Sequence, residues 1–220
     1  EADRALILAG ISHDLRTPLA RLRLGIEMSD ADDLTREGME SDIEEMDRII
    51  GQFLEFARHD DPSRSPESAQ AIDLAALVAA VGEPYLKRGM PLTIRLSDTP
   101  QIAGREQALR RVLANLIDNA LRYAGEEQPI EVTLDVVGEQ VRLAVLDRGP
   151  GISPDQVERM KRPFTRLEAA RSDAKGSGLG LAIVDRIVRG HGGELQLLPR
   201  DGGGLAAQIL LPLRHNVQDA

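Results

Sequence analysis

Ile11-Ser12-His13-Asp14-Leu15-Arg16-Thr17-Pro18-Leu19 is the stretch from which the architecture unfolds. Ile11, Leu15, Leu19, Leu22 and Ile26 recur at spacings of four, four, three and four, the apolar stripe of an α-helix turning about 100° per residue. The pattern predicts a first helix from about Ala5 to Met28, bent locally at Pro18, which has no amide donor. His13 lies about 200° from Ile11, off the stripe and toward solvent. A neutral imidazole beside Asp14 is a nucleophile with an orienting carboxylate next to it. Alone, the pair reads more simply as a surface histidine with a helix neighbour.

Working outward, Ser29 to Asp33 reads as a turn, and a second helix is expected from about Thr35 to Arg58. There Met39, Ile43, Met46, Ile50, Phe53 and Ala57 make a heptad seam. Two helices joined by a short turn form an antiparallel hairpin with an uncovered apolar face. Two copies would close a four-helix bundle; the alternative is a hairpin packed on its own C-terminal domain. Asp60 to Ser68, with Pro62, Ser63, Ser65 and Pro66, has linker composition. The expected division is a hairpin over 1–61, a linker over 62–68, a second domain over 69–215 and a tail over 216–220.

In the second domain, helices are expected near Asp73 to Arg88, Glu106 to Tyr123, Pro154 to Lys161 and Leu179 to Arg189. Strands are expected at Leu92 to Leu96, Ile130 to Val136, Val141 to Asp147, Glu194 to Leu198 and Leu205 to Leu211, with a short segment around Ile102. Gly138-Glu139 and Gly202 to Gly204 carry hairpin-turn signals. Strand pairs with separated helices predict an α+β sandwich, helices on one face of a mixed sheet.

Composition narrows the function. The 220 residues are 42% hydrophobic and 29% charged, a globular balance long enough for two small domains. A net charge of -9 argues against a broad nucleic-acid surface, which needs clustered Lys and Arg; Arg16, Arg21 and Arg23 are a local basic run. Zero cysteines exclude disulfides and thiolate chemistry. No run of eighteen apolar residues occurs, so no membrane contact is expected within this segment. Its start at Glu1, inside a helical pattern and without a cap, suggests a piece excised from a longer protein.

Three stretches carry chemistry. Asn115-Leu116-Ile117-Asp118-Asn119-Ala120-Leu121-Arg122-Tyr123 puts Asn115 and Asn119 on one helix face at i and i+4. Their amide oxygens suit Mg²⁺ that also contacts nucleotide phosphates, although paired surface asparagines are the simpler reading in isolation. Asp147-Arg148-Gly149-Pro150-Gly151 ends an apolar strand. Gly149 and Gly151 allow close backbone approach while the acid accepts from an exocyclic amine such as adenine's; a plain strand-ending turn has the same composition. Gly176-Ser177-Gly178-Leu179-Gly180 precedes an apolar helix, where backbone amides and the helix N-terminus attract phosphate. The polar segment Arg166 to Lys175 reads as a lid over a polyphosphate, with Phe164 anchoring its base.

Together and in this order, the stretches make the chain resemble the catalytic core of a sensor histidine kinase of a two-component system, along nearly all its length. His13 and its flanks are similar to the family's H box, Asn115 to Tyr123 to the N box, and Asp147 to Gly151 to the G1 box. Arg162 to Arg166 is similar to the F box and Gly176 to Gly180 to the G2 box. Ser12-His13-Asp14-Leu15-Arg16-Thr17-Pro18-Leu19 and Leu181-Ala182-Ile183-Val184 most resemble the osmosensor-type, EnvZ-like subgroup.

The resemblance implies a dimeric four-helix bundle followed by an ATP-binding α/β sandwich of the histidine kinase, gyrase and heat-shock type. It implies ATP with adenine at Asp147, Mg²⁺ at Asn119 with Asn115 nearby, phosphates at Arg122 and the Gly176 to Gly180 run, and Tyr123 beside the base. His13, kept nucleophilic by Asp14, would take the γ-phosphoryl group and pass it to an aspartate on a response-regulator receiver domain. Thr17, one turn after His13, implies regulator dephosphorylation as well. The parent protein would be an inner-membrane sensor with this portion in the cytoplasm. Related ATPases of the gyrase, heat-shock and mismatch-repair group carry a glutamate base where Asn115 stands, so transfer to His13 is expected over hydrolysis. The rival reading is a non-catalytic dimerisation module switched by nucleotide. His59, His191 and His215 are expected to be ordinary exposed histidines, and Met28, Met39, Met46 and Met160 core filling.

Overall fold

The computed structural model describes residues 18–29, 32–58, 68–125, 127–165 and 178–213, without the side chains of 44, 45, 48 and 52–58. His13, Asp14, Thr17, Arg166, Lys175 and Gly176 therefore lie outside the described residues, as do His59 and His215.

The chain divides into two units. In the helical unit, α1 is described over residues 18–27 and α2 spans Asp33–Arg58. α2 starts two residues before the expected Thr35 because Asp32 caps it: its carboxylate accepts from the Thr35 backbone N–H at 3.0 Å and the Thr35 hydroxyl at 2.7 Å. These hydrogen bonds, the hydroxyl's foremost, hold the Asp32 carboxyl below its ordinary pKa. Leu19 and Ile43 are buried, whereas Leu22 is 54%, Met28 78%, Met39 45% and Met46 48% exposed. Within one chain the expectation that these three methionines fill a core therefore fails. A two-helix hairpin covers only the side chains that meet between its helices, so even the seam residues Met39 and Met46 stay partly uncovered without further helices.

In the α/β unit, β1 (Gln70–Asp73) and β3 (Gln101–Gly104) pair antiparallel, with buried Ile72 opposite buried Ile102. Asp73 then caps α3 (Leu74–Lys87), accepting from the Ala76 amide at 3.0 Å. The main sheet comprises β2 (Leu92–Leu96), β4 (Ile130–Val137), β5 (Gln140–Leu146), β6 (Glu194–Pro199) and β7 (Leu205–Pro212), in the order β2-β4-β5-β7-β6. β2 runs parallel to β4 and the other pairings are antiparallel. Ile130, Val132 and Leu134 of β4 point into the core, while Glu131, Thr133 and Asp135 alternate to the other face.

That core is completed by α3, α4 (Glu106–Ala124) and α6 (Gly180–Arg189), giving helices on one face of a mixed sheet as the sequence predicts. α4 buries Leu109, Val112, Leu113, Leu116, Ile117 and Ala120 along one stripe. Each large side chain so buried contributes about 1.5–3 kcal/mol. Facing it, α6 buries Leu181, Ala182, Ile183, Val184, Ile187 and Val188. The helix expected over Pro154 to Lys161 is a 3-10 turn at Pro154–Gln156 followed by the single turn α5 (Val157–Met160). Pro163 disfavours helical backbone at Arg162 and so limits its growth.

Candidate functional site

The site is built around the open end of β5. Asp147, the residue after β5, is the sole buried charged side chain among the described residues, at 6% exposure. Its backbone N–H donates to the Leu205 carbonyl at 2.9 Å. Its Oδ1 accepts from the Leu205 amide at 3.2 Å and the Gly149 amide at 2.8 Å. Among the described residues none donates to Oδ2. A buried carboxylate with one oxygen fixed and the other unengaged is built to accept from a ligand donor.

Gly149 presses this loop against the end of α4, where a Cβ would come 3.1 Å from the Tyr123 carbonyl oxygen and 3.2 Å from Ala124 Cα. A side chain there would require the helix end or the loop to give by a few tenths of an ångström. Gly151 is half-buried beside it. Tyr123 and Arg122 are half-buried in the last turn of α4, and among the described residues no carboxylate pairs with Arg122.

One and two turns earlier, Asn119 and Asn115 are half-buried at the edge of the α4 stripe. A Cβ at Gly180 would lie 3.7 Å from Asn115 Oδ1, so α6 begins against the first asparagine. Gly178 is half-buried and Leu179 fully buried. α4 thus gathers both ends of the predicted site: Asp147 and Gly149 at its C-terminus, Gly180 at its middle. Among the described residues no three His, Asp or Glu side chains cluster to hold a metal ion. The amide oxygens of Asn115 and Asn119 fit a hard divalent cation that takes its remaining ligands from phosphate and water.

Phe164 departs from expectation. It is 61% exposed with a left-handed φ of 60°, so it does not anchor the loop by burial. Met160, four residues earlier, is the buried side chain there.

Sequence reasoning passed over three further features. Tyr85 of α3 donates to Asp118 of α4 at 2.7 Å; burial first, then the adjacent carboxylate, push its pKa well above the tyrosine range. His191 is half-buried rather than exposed: Nε2 accepts from the Arg105 amide at 3.0 Å, leaving Nδ1 to donate to the Ile187 carbonyl at 2.7 Å. It ties the C-terminus of α6 to the start of α4. Arg200, after β6, donates to the Asp147 carbonyl at 3.2 Å and pairs with Glu131. No local motif marks these residues, whose partners are far away in sequence.

Residues 104–215 match the family described as histidine kinase-, DNA gyrase B- and HSP90-like ATPase, and residues 3–62 match the His Kinase A (phospho-acceptor) domain. Sensor histidine kinase GtrS of Pseudomonas aeruginosa is 35% identical over 210 residues, covering 96% of this chain and 42% of the relative. Sensor protein RstB of Escherichia coli K12 is 34% identical over 221 residues, covering 98% of this chain and 50% of the relative. The chain therefore spans half the length, or less, of these relatives. Among solved structures, full-length ShkA in complex with AMPPNP superposes with a TM-score of 0.74 at 26% identity, covering 95% of this chain and 46% of that one.

Proposed function

The chain belongs to the histidine kinases that join a phospho-acceptor domain to an ATPase domain of the gyrase and HSP90 type, and on that premise we propose that it phosphorylates His13 from ATP. The observation that carries this reading is Asp147, buried with Oδ2 unengaged beside the asparagine-bearing helix. Its free oxygen suits the exocyclic amine of adenine, and Tyr123, half-buried in the last turn of α4, is the side chain we assign beside the base. Arg122 and the amides of Gly178 and Gly180, with Arg166, Lys175 and Gly176 of the adjoining segment, are the groups for the phosphates. Asn119 and Asn115 would hold Mg²⁺, which neutralises developing charge on the phosphates.

In the step itself an imidazole nitrogen of His13, with Asp14 orienting the ring, forms a P–N bond to the γ-phosphorus as the bond to the ADP oxygen breaks. The chain's task is in-line positioning and charge neutralisation. Asn115 in place of a carboxylate base leaves no group there to activate water. The phosphoryl group then passes to an aspartate of a receiver domain, and Thr17 serves the reverse, dephosphorylating activity in the manner of the osmosensor-type subgroup. The exposed Leu22, Met28, Met39 and Met46 suit a second hairpin that completes a four-helix dimer. Residues 1–61, 62–68, 69–215 and 216–220 serve as phosphotransfer hairpin, linker, ATP-binding domain and tail of the cytoplasmic part of a membrane sensor. Among the described residues no helix is long and apolar enough to cross a membrane.

Calorimetric binding of a non-hydrolysable ATP analogue with Mg²⁺, followed by labelling from γ-labelled ATP, tests the reading on wild type, Asn119→Asp and Asp147→Asn. Wild type binds and takes up label; Asn119→Asp loses both, and Asp147→Asn binds ATP about 10–100-fold more weakly and labels correspondingly less. An Asp147→Asn chain that labels at the wild-type rate would overturn it.

A further inference from the structure

Asp147 stands at the end of a reciprocal clasp between two loops. From the β6–β7 turn, Arg200, whose side chain is 10% exposed, reaches across to the Asp147 carbonyl and pairs through its other terminal nitrogen with Glu131. Glu131 sits on β4 directly opposite Leu146, the residue before Asp147. Arg95 of β2 lies 3.6 Å from its second oxygen. In the other direction Arg148 donates to the carbonyls of Asp201 at 2.8 Å and Gly203 at 3.3 Å. Between them Gly204, at φ 108°, passes so close that a Cβ would strike the Asp147 carbonyl oxygen.

The clasp leaves Asp147 little freedom. Its N–H is fixed by Leu205, its carbonyl by Arg200 and its Oδ1 by two amides. With the peptide plane and one carboxylate oxygen held, the direction of Oδ2 is determined. Glu131 in turn holds the Arg200 guanidinium as a two-ended fork, one end on a carboxylate and one on a carbonyl.

Building on the ATP-site reading above, we propose that Arg200, held by Glu131, is a positioning residue for purine selection: it fixes the Asp147 peptide so that Oδ2 meets a 6-amino group. It touches no nucleotide itself. Without it the Asp147 carbonyl loses its donor, the loop shifts by the register it was holding, and the carboxylate samples orientations that no longer favour the amine over an oxygen.

The test is equilibrium binding of ATP and ITP, each with Mg²⁺, to the 220-residue chain and four variants, with thermal melts of the nucleotide-free proteins alongside. ITP carries an oxygen in place of the amine. Wild type should prefer ATP by about 10–100-fold, the worth of a hydrogen bond to a charged group. Asp147→Asn should bring that ratio near one; if it leaves the ratio unchanged, the adenine reading itself falls. Arg200→Met should shrink the ratio at least threefold, roughly, while Arg200→Lys, which keeps a donor, restores part of it. An Arg200→Met chain that melts lower yet keeps the wild-type ratio, with Asp147→Asn still collapsing it, would reduce Arg200 to a structural staple and overturn the proposal alone. Should Arg200→Met fail to fold, Glu131→Gln and Arg200→Lys decide. A smaller ratio in Glu131→Gln supports positioning, and unchanged ratios in both overturn it.

Discussion

Replacing His191 by alanine isolates the tie between the two central helices. The imidazole serves as acceptor for the Arg105 amide at 3.0 Å and as donor to the Ile187 carbonyl at 2.7 Å. The first amide enters α4 at a position with no side-chain cap. The second group is one of the last carbonyls of α6, whose neighbours are already satisfied: Arg186 by Gly190, Val188 by His191 and Gly193, Arg189 by Gly192. Two hydrogen bonds at about 1 kcal/mol each, with a part-buried amide left unpaired, sum to about 2–3 kcal/mol. For a unit of this size that lowers the melting temperature by about 6–12 °C. His191→Phe, which keeps bulk over Gly104 without the bonds, should fall nearly as far. Differential scanning calorimetry reads both shifts. A loss under about 2 °C in His191→Ala would mean that water replaces both bonds, and the clamp argument would be refuted.

Other outcomes follow from the same geometry. Tyr85→Phe should cost about 1 kcal/mol near neutrality and change the alkaline limb of stability. Because the folded pKa lies above the ordinary value of about 10, the tyrosine's contribution is complete below that pH and is lost as pH rises above it. Melts above pH about 10 should therefore fall more steeply for wild type than for Tyr85→Phe, and equal slopes would contradict the pairing with Asp118. Asn119→Asp should abolish ATP binding and Asp147→Asn weaken it about 10–100-fold, yet both should match the oligomeric state of wild type in light scattering; a shift to monomers in either would sink the separation of bundle from nucleotide site. Thr17→Ala should slow dephosphorylation of a phosphorylated receiver domain about tenfold or more, while labelling of His13 proceeds; unchanged dephosphorylation would remove Thr17 from that role.

How much of this was readable from the sequence varies with the range of the interaction. The α4 stripe from Leu109 to Ala120 repeats at helical spacing, so the helix and the placement of Asn115 and Asn119 on it could be read directly. The β4–β5 hairpin was equally plain, two alternating runs around Gly138. β1 was missed because its four residues pair only with β3, thirty or so positions away, and carry no local pattern of their own. The methionines of the hairpin misled because a heptad seam states that a residue wants burial, not that its own chain supplies the cover.

Among the site residues, Asp147 was legible from strand, acid and glycines, but its two amide donors were not. Leu205 lies 58 positions onward and becomes a partner only through the β5–β7 pairing. The same holds for Arg200, 53 positions from Asp147 and 69 from Glu131, and for His191, 86 from Arg105. Each is an unremarkable turn residue until the sheet order is known.

The most direct test of the central claim is mass-spectrometric mapping of the phosphoryl group after incubation with ATP and Mg²⁺, before and after brief acid treatment. Modification of the peptide holding Ile11 to Leu19 at His13, lost in acid, kept in alkali and absent from His13→Ala, is the predicted result. Acid-stable phosphate elsewhere, or an unmodified chain that nonetheless binds ATP, would contradict it and favour a nucleotide-switched module without kinase activity.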